Sequence, residues 1–219
     1  LRTPLNVILS TEKLVTELNK NEEHIDKSKL DYYMSVLNRN SKRLLSLINN
    51  IIDTAKIDAG FYKLNITEND IVYLVEEVVL SMKDFAENSG LELIIDPEIE
   101  EKVIECDREN IERCIINLIG NAIKFTEEGG KVDVIINDND QYVTIIVRDT
   151  GIGIEEKNYE AIFDRFSQGY GSITEEYGGS GLGLTITKQI INLHNGDIRV
   201  KSKVGVGSEF IIILPTKQI

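Results

Sequence analysis

The apolar positions Leu30, Met34, Leu37, Leu44, Ile48, Ile51 and Ala55 follow alternating steps of four and three once Ser41, the one polar member, is counted. This is the a/d seam of a heptad helix. Leu45 and Ile52 widen the stripe beyond a two-stranded seam, as a helix bundle requires. Residues 1–18 repeat the theme less strictly, with Leu1, Leu5, Ile8 and Val15 on one track and Val7, Leu14 and Leu18 on a second. The polar stretch 19–27 reads as a turn between two antiparallel helices. One hairpin this apolar cannot bury both flanks of its stripe, which predicts a homodimer with a four-helix bundle. The alternative is a hairpin packed on the rest of its own chain.

Beyond Gly60 the period changes. Runs rich in β-formers occur at 62–66, 91–95, 131–137, 142–148, 197–202 and 208–214, with helical patterns at 71–88, 107–125 and 182–193. The runs 131–137 and 142–148 flank Asp138-Asn139-Asp140 and predict an antiparallel hairpin. The expected fold class is α+β: a helical hairpin over 1–59, then an α/β sandwich with a mixed sheet over 60–219.

A chain of 219 residues has room for two such units. A net charge of -13 argues against a nucleic-acid partner, because phosphate backbones select basic surfaces. It does not forbid ATP, which local amides and a metal can hold. Cys106 and Cys114 match no zinc spacing. On a single helix they would share a face, and they read as buried reduced thiols of a cytosolic protein. No run approaches the ~20 apolar residues of a membrane span, so the expectation is a cytoplasmic fragment. Any membrane anchor of the parent protein is expected upstream of Leu1, where the chain opens inside a helix pattern.

Four motifs carry chemistry. In Asn117-Leu-Ile-Gly-Asn121-Ala-Ile-Lys124, the two amides and the lysine fall on one helical face at i, i+4 and i+7. Amide oxygens suit Mg²⁺ and a lysine suits phosphate, although a solvated polar face would look the same. Asp149-Thr-Gly151-Ile-Gly153-Ile154 ends a strand, placing a carboxylate where the backbone can approach a flat ligand with an exocyclic amine; a tight turn alone would also need the glycines. Gly178-Gly-Ser180-Gly181-Leu182-Gly183 opens a helix, where backbone N–H groups and small side chains suit anions. Between them, Phe163 and Phe166 precede the glycine-rich stretch 167–179, which suggests a hinged lid or a surface loop with an aromatic anchor.

In this order over ~70 residues, the motifs resemble the N, G1, F and G2 boxes of the sensor histidine kinases of two-component systems. That family shares the Bergerat ATP-binding fold with gyrase and MutL. The opening Leu1-Arg2-Thr3-Pro4-Leu5 is similar to the remainder of the family's H box, His-Glu-Leu-Arg-Thr-Pro-Leu. The resemblance implies that Asn117 and Asn121 hold Mg²⁺ and phosphate, with Asn121 the metal ligand, and that Lys124 touches phosphate. It implies that Asp149 binds the adenine amine beside Gly151, Gly153 and Ile154. Ser180, Gly181, Leu182 and Gly183 would close on the phosphates, and Ser208 would lie near the purine.

The phospho-accepting histidine would stand just upstream of Leu1, and Thr3, one turn later, would orient a water that dephosphorylates the regulator or simply precede the Pro4 kink. His24 and His194 read as a turn residue and a helix-end residue, not acceptors. The implied partner is a response-regulator receiver domain docked on the hairpin. A Bergerat-fold ATPase and a non-phosphorylating scaffold are the competing readings.

Overall fold

The computed structural model describes residues 2–20, 26–165, 167 and 181–218. They form two compact units, 1–60 and 61–219. In the first, α1 (Arg2–Lys20) packs beside α2 (Lys27–Asp58). Leu37 and Leu44 of the heptad seam are half-buried, whereas Leu30, Met34, Ile48 and Ile51 stay exposed. The hairpin therefore leaves much of its apolar stripe uncovered within the unit. Among the described residues, no helix is long and apolar enough to cross a membrane.

The second unit is a layer of helices on a sheet. Its elements are β1 (Thr67–Asp70), α3 (Ile71–Asn88), β2 (Glu92–Pro97), β3 (Val103–Cys106), α4 (Arg108–Phe125), β4 (Lys131–Asp138), β5 (Tyr142–Asp149), α5 (Gly183–Leu193), β6 (Asp197–Lys203) and β7 (Gly207–Pro215). Short 3₁₀ turns lie at Glu156–Asn158 and Ala161–Phe163. The main sheet runs β2-β4-β5-β7-β6, with β2 parallel to β4 and the other pairs antiparallel.

Each central strand alternates as a half-covered strand should. Val143, Ile145 and Val147 of β5 and Phe210, Ile212 and Leu214 of β7 are buried, against Ile71, Leu74, Val75 and Val78 of α3, Ile111, Ile115, Leu118 and Ile119 of α4, and Ile186 and Ile190 of α5 in one core. Asp70 caps α3 by accepting from Val72 N–H, and Asp107 caps α4 by accepting from Asn110 N–H.

Two expectations change. The run 62–66 is not a strand. Its polar groups go elsewhere: Tyr62 Oη donates to Asn110 Oδ1 (2.7 Å) and Asn65 N–H to Asp107 Oδ2 (2.8 Å), and pairing begins only at Thr67, in an antiparallel ribbon of β1 with β3. Cys106 and Cys114 do not share a helix, since Cys106 ends β3 and Cys114 lies in α4. Both thiols are free and buried, and burial pushes them up to about 11 and about 12, so neither is a ready nucleophile.

At the C-terminal end of α5, His194 is wholly buried. Its Nδ1 lies 2.8 Å from Ile190 O, and its Nε2 accepts from Asp107 N–H at 3.0 Å. A carbonyl only accepts, so Nδ1 carries the proton and the ring is neutral. Burial holds its pKa below the ordinary 6.5 despite the Ile190 carbonyl and the Asp107 carboxylate. A group depressed in the fold contributes stability above its unfolded value that is lost as pH falls through the folded one. Burial alone would raise Asp107, but the Asn65 and Asn110 N–H groups and the Asn110 side chain outweigh it and hold it below 3.8, so its own loss comes at lower pH. Denaturant melts should show stability falling below pH 6.5, and His194→Ala should cost about 2–4 kcal/mol at neutral pH and flatten that slope. An unchanged slope in the variant would place the titration elsewhere.

Candidate functional site

The inward face of the sheet does not end as it runs. Residues 143, 145 and 147 of β5 are apolar and buried, and the next inward position is Asp149, 7% exposed. In β7 the inward series Leu214, Ile212, Phe210 ends on Ser208, and in β6 the series Ile198, Val200 ends on Ser202. Register places these three polar residues side by side, Asp149 opposite Ser208 and Ser208 opposite Ser202. One end of the core thus closes in a polar row.

Asp149 Oδ1 accepts from Gly151 N–H (2.9 Å) and Ser208 N–H (3.2 Å). Burial still pushes its carboxyl above the usual range, with those two amides pulling it back. Among the described residues, both bonds go to Oδ1 and none to Oδ2.

The glycines around it are required by backbone packing. A Cβ on Gly151 would lie 2.3 Å from Phe125 O, and Ile152 N–H donates to that same carbonyl at 3.1 Å. The Asp149 loop is thereby docked on the last turn of α4. Gly153 has φ +73°, and a Cβ there would lie 2.2 Å from Lys203 O. Ile154 is half-buried and donates its N–H to Ser202 Oγ at 2.7 Å.

Asn117, Asn121 and Lys124 are each half-buried along α4. Asn117 faces α5: its Nδ2 donates to Thr187 Oγ1 at 3.0 Å, and a Cβ on Gly183 would meet its Oδ1 at 2.3 Å. Gly183 is therefore small because an amide packs on it. Lys124 Nζ sits 4.5 Å from the Phe125 ring centroid. At the other side, α5 begins after Gly181 (φ +66°) and buried Leu182, whose side chain provides no cap for the first-turn amides. Among the described residues, Thr185 Oγ1, in that same turn, is buried without a hydrogen-bond partner.

Phe163 is a core anchor, edge-on to Phe210 at 6.5 Å with Lys188 Nζ 5.1 Å from its centroid. Ser180, Phe166, His24 and the expected lid, apart from Ser167, lie outside the described residues. Thr3 is exposed on α1, in the other unit. Sequence reasoning passed over Ser202 and Thr187; for Ser202 the signal was its inward parity in β6.

Residues 106–218 match the family described as histidine kinase-, DNA gyrase B- and HSP90-like ATPase. Residues 1–60 match the His Kinase A (phospho-acceptor) domain. The chain belongs to the histidine kinase family. Hybrid signal transduction histidine kinase L of Dictyostelium discoideum is 36% identical over 227 residues, all of this chain and 13% of that protein. Autoinducer 2 sensor kinase/phosphatase LuxQ of Vibrio parahaemolyticus is 33% identical over 99% of this chain and 25% of its own length. This chain thus spans a quarter or less of these two relatives. Among solved structures, full-length ShkA in complex with AMPPNP matches with a TM-score of 0.75 at 25% identity, over 99% of this chain and 46% of that one. Within the family's two-unit arrangement, the polar row and the α4 and α5 motif residues all fall in the ATPase-like unit.

The loop geometry makes a comparison of two neighbouring glycines informative. A Cβ on Gly207 (φ +131°) would lie 1.9 Å from Asp149 O, whereas one on Gly205 (φ +74°) meets nothing within 4 Å. Gly205→Ala should cost only the ~1 kcal/mol of a left-handed alanine. Gly207→Ala should cost about 2–3 kcal/mol or more in denaturant melts, by forcing β7 off β5 beside Asp149.

Proposed function

We propose that this chain is the catalytic core of a sensor histidine protein kinase that binds Mg-ATP in the unit 61–219. The observation that carries the reading is the polar row at the sheet end, where Asp149 holds a buried carboxylate with one oxygen committed and one free. A carboxylate oxygen accepts only, so it selects a donor such as the exocyclic amine of adenine. Gly151 and Gly153 keep the adjoining backbone within reach of a flat base, and Ile154 and Ser208 border it. The first turn of α5, with Gly181, Leu182 and Gly183 and the preceding Ser180, suits the phosphates. The buried Thr185 hydroxyl, unpartnered among the described residues, supports a polar ligand at this turn.

The amide oxygens of α4 are hard ligands, and Asn121 is our choice for Mg²⁺, with Lys124 on phosphate. Asn117 serves the same site partly by tying α4 to α5. Mg²⁺ would arrive with the nucleotide, whose phosphate oxygens supply further ligands. When bound, Mg²⁺ neutralises phosphate charge; the chain's own contribution is orientation.

In the parent protein the γ-phosphoryl group would pass to a histidine just before Leu1 and then to an aspartate of a response-regulator receiver domain. Domain roles follow: 1–59 dimerises and presents the histidine, and 60–219 supplies ATP. The exposed seam residues of α2 support a homodimer through a four-helix bundle. LuxQ's name includes a phosphatase, which accords with Thr3 orienting a hydrolytic water from the exposed side of α1. The parent is placed at the cell membrane by segments outside this sequence, with this part on the cytoplasmic side.

Asp149→Asn tests the site. Losing a charged acceptor for the base should weaken ATP binding about tenfold to a hundredfold by calorimetry. Because burial raises this carboxyl, its ionised form opposes folding at neutral pH, and the ligand-free variant should melt no lower than the parent. Unchanged ATP affinity would remove Asp149 from the site.

A further inference from the structure

Ser202 sits at the inner end of β6, outside every motif above, yet its hydroxyl is the hub of the polar row. Ser202 Oγ lies 2.8 Å from Gly207 O, 2.7 Å from Ile154 N and 3.0 Å from Ser208 Oγ. Proton counting assigns the directions. A carbonyl only accepts, so the single Ser202 proton goes to Gly207 O. Ile154 N–H only donates, so it fills one lone pair of Ser202 Oγ. The contact with Ser208 must then run from the Ser208 hydroxyl to the second lone pair. Ser202 Oγ is saturated, and the one proton of Ser208 is spent.

The backbone of Ser202 is equally tied. Its N–H donates to Tyr159 Oη at 2.9 Å, and that phenol donates back to Ser202 O. The tyrosine belongs to the turn that follows the Gly151–Ile154 loop, so Ser202 cannot easily rotate away from its partners.

We infer that Ser202 is a specificity-determining, positioning residue for the nucleotide base: by taking the Ser208 proton it leaves Ser208, like Asp149 beside it, presenting only acceptors. This rests on the reading that the base binds at Asp149. A base edge with an amino donor is then favoured, and a 6-oxo edge finds no donor in the row. Release of Ser208 would let its hydroxyl turn and donate to that oxygen.

The test is the ratio of affinities for Mg-ATP and Mg-ITP, which differ only at the purine 6-position and the adjoining ring nitrogen, measured on the whole chain by calorimetry. Ser202→Ala should narrow the ATP preference about three- to tenfold, the worth of one neutral hydrogen bond to the 6-oxo group. Ser202→Thr, which keeps the hydroxyl, should retain the parent ratio. Adding Ser208→Ala to Ser202→Ala should restore the preference, because the freed donor is gone. A general loosening of the fold would lower both affinities together, and Tyr159→Phe should do that without moving the ratio. An unchanged ratio in Ser202→Ala, in a parent that prefers ATP, would overturn the role of Ser202. A parent with no preference for ATP would instead overturn the base site itself.

Discussion

The second unit is organised around a carboxylate placed where its sheet calls for an aliphatic side chain. Removing Asp149 from water is unfavourable, and among the described residues two backbone N–H groups at 2.9 and 3.2 Å offset it. Those two donors exist only if β5 and β7 keep their register and the chain turns tightly after Asp149. Gly151 and Gly207 allow this by omitting side chains that would strike Phe125 O and Asp149 O. The loop that results is pinned on one side by Ile152 to the end of α4 and on the other by Ile154 to Ser202. The site is therefore a consequence of how one buried charge is supported.

The helices bring the remaining groups to the same end. α4 runs 18 residues, about 27 Å. Its first turn is braced by Asp107 against His194, and its last turn receives the Asp149 loop. Asn117, midway, ties it to α5 through Thr187. Stability and site pull in different directions here. His194 and Asp107 are satisfied by each other together with Ile190, Asn65 and Asn110, whereas among the described residues no bond reaches Asp149 Oδ2 and the buried Thr185 hydroxyl has no partner.

Much of this was legible in the sequence, and the exceptions share a cause. The strand and helix periods gave the main sheet and its three covering helices, because those elements bury one continuous apolar face. β1 and β3 were missed, since Thr67–Asp70 is entirely polar and shows no apolar alternation. The run 62–66 looked like a strand by composition, but Tyr62 and Asn65 bond to side chains of the α4 N-terminus instead. Asp149 and its glycines were visible as a motif. That Asp149, Ser208 and Ser202 form one row depends on strand register, which local pattern does not reveal. The packing reason for Gly183 was not visible: its missing side chain leaves room for the Asn117 amide.

The central claim is that the polar row binds the base, and amide chemical shifts on titrating the whole chain with Mg-ATP address it directly. The account predicts that the largest shifts fall at Gly151, Ile154 and Ser208, with a second group at Asn121, Gly181 and Gly183. It predicts little change at the far end of β4 and β5, around Asn139–Tyr142. Saturable binding with shifts concentrated in that distal hairpin, and none at Gly151 or Ser208, would contradict it.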